Sequence, residues 1–68
     1  GPVLYLEDIF REMINCGVLK KNDPYQLAIE FFSPLFLLIN MSDENEAYGD
    51  IENRLIKHID FFIESHTK

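Results

Sequence analysis

With 68 residues the chain makes at most one domain, and a chain this short buries only about 60 % of the surface its unfolded form exposes, so a staple is expected: disulfides, a metal or a partner. One cysteine, Cys16, excludes an intrachain disulfide and fits a reducing cytoplasm. Twelve acidic against six basic side chains, a formal charge of -6, argue against nucleic acid or anionic lipid as a direct ligand, while 47 % hydrophobic residues, with six Phe and three Tyr, argue against disorder.

The chain begins Gly1-Pro2 rather than with Met and carries no signal-peptide pattern, so it reads as a piece of a longer polypeptide. A first helix is expected over about residues 3–16. Its apolar positions are Tyr5, Ile9, Met13 and Cys16 with Leu6, Phe10 and Ile14 one position round, while Glu7, Asp8, Arg11, Glu12 and Asn15 take the opposite face. Cys16 is read as a buried small hydrophobe, since no histidine or second cysteine stands near it in sequence. Gly17 ends the helix in the left-handed conformation, with Val18 folding back on the last turn.

Asp23-Pro24 opens a second helix over about residues 24–40: an acidic N-cap, a proline in the first turn, and Gln26 placed to complete a capping box. Pro34 is expected to kink this helix rather than stop it. Its most apolar stretch, Leu27 to Ile39, includes Glu30 and falls short of the roughly 20 residues that span a bilayer. A buried helix is expected, with no membrane partner.

The acidic stretch Ser42 to Glu46 suits a loop ahead of the positive end of a third helix, expected over about residues 46–65. Its stripe is Ile51, Leu55, Ile59 and Phe62, widened by Ile56 and Ile63, with Phe61 off the stripe. The fold class is therefore all-α, three helices joined by short turns.

The second helix carries more apolar surface than one core can use. On a wheel of about 100° per residue its apolar positions cover about 220°. One flank is Leu27, Phe31, Pro34 and Leu38; the other is Tyr25, Ile29, Phe32 and Phe36, with Ala28, Leu35 and Ile39 between them. An exposed flank of this kind marks an interaction site. A second copy is the expected cover: the last two helices pack against the same pair as a four-helix bundle, with Tyr25, Ile29, Phe32, Phe36, Leu55, Ile59, Phe61 and Phe62 at the dimer interface. Missing helices of the parent polypeptide, or another partner, are the alternative covers.

No catalytic constellation, phosphate-binding glycine loop or metal site is read from the residues, so an enzyme and a cofactor are not expected. His58 and His66 are eight residues apart on one helix, about 12 Å along its axis, and do not share an ion. His58 is read as a helix-edge or interface residue and His66 as a solvated C-terminal one.

A helix ending in Gly17-Val18-Leu19, a short basic loop, Asp23-Pro24 opening a helix with Ala28, Phe31-Phe32 and Pro34, and a final helix with Ile56, His58 and Phe61-Phe62 resemble the last three helices of TetR-family transcriptional regulators. The resemblance implies a bacterial, cytoplasmic regulator that dimerises through a four-helix bundle of its last two long helices. It implies DNA binding through an N-terminal helix-turn-helix headpiece that these residues do not contain, and a small apolar effector held by the parent protein. Two other functions stay open: a free-standing adaptor that receives an amphipathic helix of another protein, and a small carrier of an apolar ligand.

Overall fold

Proline fixes a helical φ in the first turn and Gly17 ends the helix, so Pro2–Asn15 forms α1. Gly17 has φ 79°. Around it the chain forms a Schellman cap: the Gly17 N–H donates to Ile14 O at 3.0 Å and the Val18 N–H to Met13 O at 2.9 Å. A Cβ at Gly17 meets nothing within 4 Å. Gly17→Ala is therefore expected to destabilise the fold by about 1–2 kcal/mol through left-handed backbone strain alone. Urea titration followed by circular dichroism checks this; an unchanged midpoint would place the helix end elsewhere.

The computed structural model describes residues 1–41 and 48–68. α2 is Pro24–Met41 and α3 is Tyr48–His66. The expected loop from Ser42 and the first residues of the third helix, Glu46 and Ala47, lie outside the described residues. Three helices and no strand are present among those described, so the class is all-α.

Asp23 caps α2 as its sequence indicates, accepting from the Tyr25 N–H at 3.0 Å and the Gln26 N–H at 3.4 Å. The capping box is only half made. Gln26 reaches forward to Glu30 Oε1 at 3.3 Å, because the Asp23 N–H is already taken by Asn22 Oδ1 at 2.8 Å. α2 runs through Pro34 without a break.

Phe10, Leu19, Leu27, Ala28 and Phe62 form the core, with Val3, Leu6, Met13, Ile14 and Phe31 packed against it. Three phenylalanines from three helices meet there. Phe10 stands edge-on to Phe31 at 5.7 Å and lies 5.4 Å from Phe62, and Phe31 meets Phe62 at 4.9 Å. At the other end, Ile51 is buried beside Leu38 and Met41. Residues late in α2 therefore face residues early in α3, and the two helices run antiparallel.

Two expectations for α1 need correction. Cys16 is exposed, as the C-cap residue beyond the buried face. Tyr5 is 69 % exposed and Ile9 stands at the edge, whereas Val3 turns inward. The inward face is centred on Phe10, so α1 is rotated relative to the stripe expected from apolar spacing alone.

A non-local clamp joins the α1–α2 connection to the C-terminal residues. The Lys20 N–H donates to His66 O at 2.8 Å and the Lys68 N–H to Val18 O at 3.0 Å, an antiparallel bridge centred on Leu19 and Thr67. It pins the end of α3 to the α1–α2 connection and buries Leu19. His66 is drawn in as well: it is half-buried, its ring 4.6 Å from Phe62, rather than solvated.

Candidate functional site

The interior leaves apolar surface over. The radius of gyration is 13.3 Å, against about 11 Å for a compact domain of this length. Accessible surface is 5080 Å², about 600 Å² more than the roughly 4,450 Å² expected for a folded monomer of this mass. Both values describe a chain more extended than a compact domain of its length.

The first face left over is on α2. Leu27, Phe31, Pro34 and Leu38 turn toward the chain's own helices: Leu27 is fully buried and the other three are half-buried. The opposite flank is less covered, with Tyr25 46 % and Phe36 58 % exposed and Ile29 and Phe32 half-buried. Tyr25, Ile29, Phe32, Phe36 and Ile39 are spaced 4, 3, 4, 3, the alternation of a coiled-coil seam. Phe32 and Phe36 already touch, ring centres 5.7 Å apart. Gln26, Ser33 and Asn40 line one edge of the seam at intervals of seven, all neutral. Glu30 is the one charged residue in α2, so the rest of the chain carries five of the six net negative charges.

The second face lies between α1 and α3. Each helix packs on α2, but among the described residues no Cα of α1 comes within 8 Å of one of α3. The gap is an open groove of roughly 360 Å³ with Phe10, Phe31 and Phe62 as its floor. Met13 and Val18 form one wall, Ile59 and Ile63 the other, and the Leu19–Thr67 bridge closes one end.

The residues expected at one dimer interface thus divide among separate surfaces. Tyr25, Ile29, Phe32 and Phe36 share the α2 seam. Phe62 is buried in the chain's own core and, with Ile59, lines the groove. Leu55 is half-buried on α3, and Phe61 is 70 % exposed off the inward face. Spacing in one helix does not distinguish a flank that meets a neighbour in the same chain from one that is left over. The Leu19–Thr67 end of the groove has no local signal at all, since its two halves are 48 positions apart in the sequence.

His58 is a structural residue of the α2–α3 contact. Pro34 offers no N–H to the Glu30 carbonyl one turn back. In that turn Phe31 O accepts from His58 Nε2 at 2.9 Å, so Nε2 carries the hydrogen, and the ring packs 5.8 Å from Phe31.

A third hollow, where the end of α2 meets the start of α3, is more polar, with Asp50, Asn53, Arg54 and Lys57 along it. Among the described residues no group of three or more His, Cys, Asp or Glu is placed to hold a metal, and no helix is long and apolar enough to cross a membrane. No protein family matches this chain, and neither characterised proteins nor solved structures show a significant similarity to it.

Proposed function

We propose that this chain is an association module that pairs with a second copy through the α2 seam, and that it serves as the dimer-forming C-terminal part of a TetR-type transcriptional regulator. The seam is the observation that carries the pairing: five apolar residues at coiled-coil spacing on a helix whose other face is already buried. A helix that pairs this way presents an apolar stripe at 4-3 spacing, which Tyr25, Ile29, Phe32 and Phe36 make, here with Gln26, Ser33 and Asn40 as a polar edge on one side.

Charge supports a second copy over a dissimilar partner. Two chains of charge -6 repel, and α2, with Glu30 alone, is the surface on which they approach at least electrostatic cost. Antiparallel pairing about Phe32 sets Tyr25 opposite Ile39 of the second copy, each contact made twice, as a two-fold interface requires. The roughly 600 Å² of excess surface per chain approaches the ~800 Å² that each partner gives to a standard stable interface. The α2–α3 pairs of the two copies then assemble as a four-helix bundle with the seams at its centre.

The regulator reading rests on the order of Gly17-Val18-Leu19, Asp23-Pro24, Phe31-Phe32, Pro34 and Phe61-Phe62. On it, DNA contact belongs to a headpiece outside these residues, and no catalytic role falls to any of them. Light scattering over a concentration series tests the pairing. A mass near twice 8.0 kDa is expected at high concentration; a fully helical monomer throughout would overturn it.

A further inference from the structure

The groove between α1 and α3 is not used by the α2 seam, and its edges differ from the seam's edges. We infer that it is a docking site for one amphipathic helix with basic flanks, supplied by another protein. Its walls are the half-exposed Val18 and Ile63 with Met13 and Ile59, and its floor is the phenylalanine cluster, so a partner's apolar stripe meets apolar surface along its length. α1 and α3 already lie on α2 with a gap between them, and a fourth helix in that gap completes a four-helix arrangement.

The edges select the partner's charge. On α3, Asp60 stands three residues before Ile63, on that wall's outer side, and Glu52 stands seven before Ile59, in line with the wall and beyond its lined length. On α1, Glu12 adjoins the wall residue Met13 on the helix's outward, polar side. All three are exposed and make no ion pair among the described residues, where Arg11 holds Glu7 and Asp8. The cations of α3, Arg54 and Lys57, line the polar hollow instead.

A second copy does not fit this requirement. None of its helices carries an apolar stripe with basic edges: α1 and α3 present acidic margins and α2 a neutral one. Lys20 and Lys68 stand at the end closed by the Leu19–Thr67 bridge, which favours the negative, C-terminal end of the docked helix there.

Two synthetic peptides of 18 residues test this, sharing a Leu stripe at 4-3 spacing and differing in whether Lys or Glu fills the flanks. Calorimetry is expected to give the Lys peptide about ten-fold or more tighter binding at low salt. NMR shifts are expected at Met13, Ile59 and Ile63. Ile63→Asp, at a half-exposed wall position, should abolish the binding while helix content and solution mass stay unchanged. Should that variant fail to fold, Glu52→Lys with Asp60→Lys leaves the walls intact and should erase the preference for Lys. Equal affinity for the two peptides, shifts confined to Tyr25 and Phe36, or no binding would overturn the inference. So would groove shifts that grow with protein concentration alone, since they would make a second copy the occupant.

Discussion

Phe62→Ala is expected to remove about 3–5 kcal/mol and leave the chain largely unfolded at low concentration. The side chain is 6 % exposed, and its ring touches Phe10, Phe31 and His66, so it ties α3 to α1, to α2 and to its own C-terminal turn. Truncation leaves a void where three elements converge, and no neighbour closes it without giving up another ring contact. A domain of this length has a total stability of only about 3–10 kcal/mol. One residue away, Phe61 is 70 % exposed, and Phe61→Ala is expected to change stability by no more than about 0.5 kcal/mol. Urea unfolding followed by circular dichroism distinguishes the pair. A loss below about 1 kcal/mol at Phe62, or equal losses at both, would mean that the phenylalanine cluster is not the core. Because association adds to apparent stability, the comparison holds only at matched concentrations, the lowest being the most informative.

Phe62 also illustrates how much the sequence discloses. Its place on the inward stripe of α3 follows from helical spacing with Ile51, Leu55 and Ile59, and Phe61 falls off that stripe by the same rule. The helix ends are equally local: Gly17 supplies a left-handed residue, and Asp23-Pro24 supplies a cap and a first turn. What spacing cannot give is the direction a wide stripe faces. On α1 the apolar arc runs from Tyr5 round past Phe10, and whether Cys16 or Val3 turns inward depends on where α2 lies. His66 reads as solvated from its place at the end of the chain, yet its ring lies against Phe62, one turn back on the same helix. The clamp of Leu19 on Thr67 draws the last turn of α3 against the first connection and holds that ring over Phe62. The groove exists only because α1 and α3 pack on α2 with their backbones apart, meeting through the Phe10 and Phe62 rings at its floor. It is a property of the assembly and not of any one element's sequence.

The α2 seam sits at the boundary between these two kinds of information. Its excess of apolar positions is visible in one dimension, but which flank is surplus emerges only once Leu27, Phe31, Pro34 and Leu38 are committed to the interior. That commitment leads to the sharpest test of pairing. Phe36→Glu is expected to weaken self-association by about 100-fold or more, since each copy loses a contact of about 1.5–3 kcal/mol and a dimer loses two of them. It also sets a carboxylate into a surface whose near-neutrality lets two acidic chains meet. Within one chain Phe36 is 58 % exposed and touches Phe32, so the substitution costs the monomer little, and the helical circular dichroism signal should persist. Loss of the dimer with helices retained places the interface on the seam. An unchanged mass at all concentrations, with normal helix content, would move any second copy off α2. Phe61→Glu is the matched control: Phe61 lies outside the seam, and if it alone broke the dimer, the contact would belong to the outer side of α3.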